Sequence, residues 1–82
     1  MIVIGQMNLA DARAELRISQ LALAKAADLS NAVVFRAEKG LPIQRISAHA
    51  ILKALNAFRR DVGLPPLALH DLDMKIVGGI GE

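Results

Sequence analysis

The chain has 82 residues, of which 54% are hydrophobic, 22% charged and 2% aromatic, and it contains no cysteine. These figures predict one small domain with an aliphatic core, and they exclude a disulfide scaffold and a cysteine-based zinc site. No apolar run approaches the ~20 residues of a membrane span, and the first residues lack the basic start of a signal peptide. We therefore expect a cytoplasmic protein without a membrane partner.

The net charge of +2 is distributed unevenly along the chain. Residues 1–60 carry nine Lys and Arg against four Asp and Glu, whereas residues 61–82 carry one Lys against four Asp and Glu. A basic body favours an anionic partner such as nucleic acid. An ordinary solvated helical surface gives the same asymmetry, so charge alone leaves both interpretations open.

The first helix is predicted from its cap. Asn8, followed three residues later by Asp11, has the pattern of a capping box. The helix should extend over roughly 9–17.

Two further short helices follow. Ser19 should cap a helix that ends near Ala27, and Asp28 tolerates the positive φ of a tight turn after it. Ser30 should cap a third helix, which ends at Gly40.

A fourth helix is predicted over roughly 44–57, with Arg59 and Arg60 beyond it as solubilising residues. Residues 67–72 could form one or two more helical turns. Apolar residues at helical spacing define the expected core of these helices: Leu9, Ala12 and Leu16; Leu23, Ala24 and Ala27; Val34 and Ala37; and Ala48, Ile51 and Leu55.

Both ends of the chain carry short apolar, strand-like runs. Met1–Ile4 and Met74–Val77 could pair antiparallel within one chain or across the axis of a dimer, or they could fray. The expected organisation is an apolar arm over residues 1–7, a helical domain over 8–58 and an acidic extension over 59–82.

The most informative stretch is 19–40. It reads as a capped two-turn helix, a three-residue turn and a second capped helix, with Ala24 and Ala27 small enough for the two helices to cross closely. This is the helix-turn-helix arrangement, whose second helix can enter the major groove of DNA.

At these positions the sequence resembles the Cro and lambda-repressor (XRE) family of helix-turn-helix domains. The resemblance covers about residues 8–58. It lies in Ser19-Gln20, Leu23-Ala24, Ala27-Asp28-Leu29-Ser30, Val34, Arg36, Glu38 and Gly40, and continues in Ile51 to Asn56. It implies an all-α fold of four or five helices, with short strand-like ends as an addition.

The resemblance also implies roles for individual residues. Base readout would fall to Asn31, Ala32, Val33 and Arg36, phosphate contacts to Gln20, Ser30, Lys39 and Arg45, and a structural ion pair to Arg13 and Glu38. Arg is suited to guanine, and Asn to adenine. Phe35 could lie at the core edge, at a protein interface or against DNA.

We therefore expect a homodimeric repressor that binds a pseudo-palindromic operator in double-stranded DNA and needs no cofactor. One alternative is an antitoxin that represses its own operon and binds a toxin protein through its acidic extension. Another is a helix-turn-helix fold reused as a protein-interaction module. An enzyme is not expected, since neither His49 nor His70 lies in a metal motif or beside a nucleophile.

Overall fold

Four α-helices make up most of the structure, a computed structural model that describes residues 6–77. The mostly helical fold predicted from the sequence is confirmed, with short strands in addition. In chain order the elements are β1 (Met7–Asn8), α1 (Leu9–Leu16), α2 (Gln20–Ala27), α3 (Asn31–Glu38), β2 (Ile43–Gln44), α4 (Arg45–Asp61), a 3-10 turn (Leu69–Asp71), β3 (Leu72–Asp73) and β4 (Ile76–Val77).

The three short helices begin at the predicted caps. The side chains of Ser19 and Ser30 each accept a hydrogen bond from the backbone three residues later, at 3.0 Å and 3.4 Å. Asn8 accepts from Ala10 N at 2.7 Å, one residue earlier than a capping box with Asp11 requires. Each cap satisfies an amide that helix geometry leaves free.

Left-handed residues end the first two helices. Asp28 has φ 58°, as predicted for the turn between α2 and α3. Arg17 has the same φ, which ends α1 at Leu16, one residue before the predicted end. Gly40 has φ +76° just after α3 and fulfils its predicted role at the end of that helix.

Nine of the eleven core residues that helical spacing predicts are buried, while Leu16 and Ala27 are only partly buried and Ala54 joins the core without having been predicted. Leu9, Leu23, Val34, Ile51 and Leu55 are its largest fully buried side chains. Residues outside the four helices complete it, since Ile43 and Leu72 are also buried. The segment predicted as a separate acidic extension thus contributes to the core.

Helix α4 is longer than the 44–57 predicted, because it continues to Asp61. The expected domain boundary at residue 58 therefore falls inside it. Arg59 lies in this extra turn, and its assignment as a solubilising residue is wrong. It is buried, donating from Nε to Pro65 O at 2.8 Å and from Nη1 to Glu15 Oε1 at 2.7 Å.

The segment after α4 returns across the helical body. Asn56 fixes its start by bonding both the backbone N and O of Leu67, at 2.8 Å and 2.9 Å. The 3-10 turn at 69–71 replaces the predicted helical turn.

Two parallel strand pairs hold the rest of that segment. β3 pairs with β1, and β4 pairs with β2. Pairing of Met74–Val77 with Met1–Ile4 is not tested, since Met1–Ile4 lies outside the described residues. Within the described residues, Ile76–Val77 pairs with Ile43–Gln44, and Ile43 N donates to Lys75 O at 3.0 Å.

Replacing Arg59 with Met should lower the free energy of unfolding by about 2 kcal/mol, because it removes two partly buried hydrogen bonds while keeping the aliphatic stem. Arg60→Met is the matched control, since Arg60 is 81% exposed, and should change stability by less than about 0.5 kcal/mol. Urea unfolding followed by circular dichroism measures both. Equal effects of the two substitutions would contradict the role assigned to Arg59.

Candidate functional site

The outward face of α3 presents five exposed side chains: Asn31, Ala32, Phe35, Arg36 and Lys39 at its end. Their positions follow from helix geometry, because Val34 and Ala37 point into the core and the exposed residues fall on the other side. Of the four positions predicted for base readout, three are on this face. The fourth, Val33, is half-buried and packs against the core.

A network around Glu38 anchors α3 from behind. Arg13 donates from Nε to Glu38 Oε2 at 2.6 Å and from Nη2 to Oε1 at 3.1 Å. Gln20 donates from Nε2 to Oε1 at 2.9 Å. The Arg13 and Glu38 side chains are 22% and 6% exposed, so the pair joins α1 to α3 largely away from water.

These contacts set the ionisation of Glu38. Burial raises the pKa of its carboxyl group, but the hydrogen bonds from Arg13 and Gln20, with the charges of Arg13 and Lys39, outweigh burial and bring the pKa below its usual value. The hydrogen bond to Glu38 in turn raises the pKa of Arg13. Glu38 is thus an anion in the folded protein at neutral pH.

Gln20 and Asn31 interact with each other on the exposed side of this network. Asn31 Nδ2 donates to Gln20 Oε1 at 3.4 Å. Gln20 therefore links Asn31 to the carboxylate of Glu38, and its amide serves the fold in addition to any contact with DNA. Nothing in the spacing of these residues indicates this link.

Arg36 turns along the protein surface. Its Nη2 donates to Pro42 O at 2.8 Å, which directs the guanidinium toward the loop before α4. Arg36 there borders a shallow groove of about 230 Å³ with Gln44 and Ser47, at the N-terminal end of α4. For Arg36 to contact a base, its hydrogen bond to Pro42 O would have to be replaced by hydrogen bonds to that base.

Phe35 lies on the surface and does not line the core edge. It is 42% exposed, and Lys39 Nζ lies 5.5 Å from the centre of its ring. This distance is within the range of a cation–π contact. The side of α3 that would face a partner thus combines a positive charge with an aromatic ring.

The remaining predicted residues lie around α3. Ser30 is the exposed N-cap of α3, and Arg45 is exposed as the first residue of α4. His49 and His70 are exposed. Within residues 6–77 there is no cluster of three or more His, Asp or Glu side chains that could hold a metal ion.

The surface from α3 to α4 is positive because of where its acidic residue lies. Between residues 29 and 60 Glu38 is the only acidic residue, and it is buried against Arg13. The exposed charges of that stretch are all cationic. We call Arg36, Lys39 and Arg45 the cationic end of the molecule.

Glu38→Gln should lower the free energy of unfolding at neutral pH by about 3 kcal/mol, because it leaves Arg13 without a counter-charge. The folded pKa of Glu38 is depressed, so the carboxylate stabilises fully above its unfolded pKa of about 4.3 and loses this effect as pH falls through the lower folded value. The difference from the native protein should therefore narrow below about pH 4.

Thermal unfolding across this pH range measures that difference. Asp73→Asn is the control, since it removes a carboxylate from an exposed residue in β3. A stability difference for Glu38→Gln that stays constant into strong acid would contradict the depressed pKa.

Comparisons with known proteins identify no relative of this chain. No protein-family model matches the chain, and neither a curated protein nor a solved structure matches it at a significant level. Among the described residues, no helix has both the length and the apolar character needed to cross a bilayer.

Proposed function

We propose that this protein binds double-stranded DNA with α3 in the major groove and represses transcription as a homodimer. The observation that carries the proposal is the cationic end. Arg36, Lys39 and Arg45 lie on or beside an exposed helix, and the sole acid of the stretch is neutralised inside the fold. DNA presents phosphates on both sides of a groove that admits one helix, which fits this distribution.

The arrangement of α2 and α3 supports the same conclusion. Two eight-residue helices are joined by a turn of three residues, the length that helix-turn-helix units use. Three residues on the outward face, Asn31, Ala32 and Arg36, would face bases. Lys39 and Arg45 would contact the phosphates on either side.

Uncapped amides at the start of α4 provide a further phosphate contact. Gln44 precedes the helix without making a side-chain capping bond, unlike the residues before α1, α2 and α3 in the described part of the chain. Free backbone N–H groups at a helix N-terminus favour phosphate binding. Arg45 is the first residue of this helix, so its charge adds to the same position.

A protein-interaction module is the second candidate, favoured by exposed apolar side chains near the cationic end. Phe35 and Leu41 are each 42% exposed, and Ile46 is 75% exposed. Apolar groups at a surface mark protein contacts more often than phosphate contacts. The two candidates differ in salt dependence, since counterion release makes DNA binding weaken steeply with salt.

In the antitoxin alternative, a toxin binds the acidic residues 61–82. Part of that segment is already occupied by contacts within the chain, because Leu72 is buried and β4 pairs with β2. A toxin would therefore have to bind the outer side of this segment. Co-purification of a second protein from the native host tests this variant.

Selection from random duplex DNA, followed by salt titration of the selected sequences, tests the proposed function. Enrichment of a two-fold symmetric sequence with a steep salt dependence is expected. Arg36→Ala should then weaken binding to it by about 5- to 150-fold and relax one base position. Lys25→Ala, which removes an exposed cation on α2 outside the cationic end, should leave the affinity unchanged.

Lys39→Ala and Phe35→Ser separate the two candidates. If the protein binds DNA, Lys39→Ala should weaken binding to all sequences alike and reduce the slope of log K against log salt by about one. If it is an interaction module, Phe35→Ser should abolish partner binding and salt should have little effect. Failure to enrich any DNA sequence would overturn the proposed function.

A further inference from the structure

Helix α4 has an outer face that is free of contacts with the core. Its inner face is buried through Ala48, Ile51 and Leu55. Ala57 lies half a turn around the helix from Ala48 and is exposed, as helix geometry requires. We define the α4 ridge as the outer residues that flank this point, which are Ala50, Lys53, Ala57 and Asp61.

Grooves run along both sides of the α4 ridge. One, of about 550 Å³, lies between α4 and the end of α2 and has alanines for most of its lining. The other, of about 520 Å³, lies between α4 and Leu64 and Pro66. Lys53 and Ala57 border both grooves, so they stand on a ridge between two depressions. This shape can accept another narrow helix.

We infer that the α4 ridge binds the same ridge of a second copy of this chain, antiparallel, with Ala57 on the two-fold axis. The charges on the ridge are self-complementary about that residue. Lys53 precedes Ala57 by four residues and Asp61 follows it by four. An antiparallel pair therefore places Lys53 of each copy opposite Asp61 of the other, which gives two equivalent charge pairs.

The position of Lys53 also disfavours registers in which the two-fold axis passes close to it. If the axis passed close to Lys53, the two lysines would face each other, and the like charges would disfavour that pairing. With the axis at Ala57, the lysines are eight residues apart along the helix direction, or about 12 Å. Arg60 lies at the rim, 81% exposed, with its Nε 4.0 Å from Asp61, so Asp61 would lie between two cations.

Small side chains at the centre favour the contact. Ala50 and Ala57 present little more than Cβ atoms on the outer side of α4, which allows two helix axes to approach to about 8 Å. Longer side chains at these places would hold the helices apart. The alanines make the approach feasible, and the two charge pairs select its register.

One consequence rests on the proposed function. Arg45 is twelve residues from Ala57, or about 18 Å along α4, so the two copies of Arg45 would be separated by about 36 Å along the helix direction. The half-sites of a dimeric helix-turn-helix protein are about 34 Å apart, one turn of DNA. The spacing of the two cationic ends would thus suit adjacent half-sites.

Sedimentation equilibrium of the full chain without DNA tests the interface. The native protein should dimerise reversibly. Lys53→Glu alone and Asp61→Lys alone should each weaken dimerisation at least tenfold, because like charges then face each other, and the double substitution should restore it. Both residues are exposed, so the variants should fold like the native protein, and circular dichroism checks this.

A cross-link locates the axis independently of the charges. The chain has no cysteine, so Ala57→Cys introduces a single thiol. Under mild oxidation it should give a covalent dimer in high yield, since a residue on the axis meets its own copy. Ala14→Cys, on the exposed side of α1, is the control for random collision.

A native protein that stays monomeric at all concentrations would overturn this inference. A dimer that both charge reversals leave intact, or one in which Ala57→Cys cross-links no better than the control, would also overturn it. These experiments contain no DNA. If DNA selection fails while the dimer behaves as described, the proposed DNA binding falls and the interface stands. If DNA selection succeeds while the interface tests fail, the α4 interface falls together with the homodimer built on it, and DNA binding by α3 stands.

Discussion

The carboxylate of Glu38 is the contact on which the arrangement of the first three helices depends. Each of these helices has only eight residues, which is too short to be stable in water by itself. Arg13 from α1 and Gln20 from α2 both reach the carboxylate of Glu38, on the last turn of α3. Apolar packing brings the helices together, but directional bonds to one carboxylate fix their rotation. The outward face of α3 is defined by this anchor.

The same ion pair shapes the electrostatics of the surface. A carboxylate exposed on α3 would offset the charges of Arg36 and Lys39 on the same helix. Because Glu38 points inward and is bonded to Arg13, its field is largely cancelled at short range. One interaction therefore orders the helices and leaves the exposed charges on α3 positive. The stability of the domain and its proposed affinity for DNA share this origin.

Local signals in the sequence were sufficient for the helices and most of the core. The caps Ser19 and Ser30 and the turn at Asp28 each depend on bonds within a few residues, so their residue types predict them. Arg59 could not be assigned in this way. Its partners are Pro65 O, in a loop after a glycine turn, and Glu15, 44 positions away, and neither follows from helical spacing. The parallel pairing of the two-residue strands could not be predicted either, because two residues are too few to show the alternation of apolar and polar side chains that marks a strand.

For the candidate site too, the positions of the residues were predictable from the sequence, but their side-chain bonds were not. The sequence placed Arg36 and Asn31 on the outer face of α3, and helix geometry alone explains that. The bonds that these side chains make were not predictable, since Pro42 O and Gln20 Oε1 become available only when the loop and α2 have packed.

The bond from Arg36 to Pro42 bears on how specificity would arise. When the Arg36 guanidinium moves away from Pro42 O, it loses a hydrogen bond worth about 1 kcal/mol. A guanine offers two acceptors to the same guanidinium. A base that accepts a single bond would only balance the loss. The intramolecular bond would therefore act against poorly matched sequences, and DNA contact by Arg36 would be selective because the unbound side chain already has a partner.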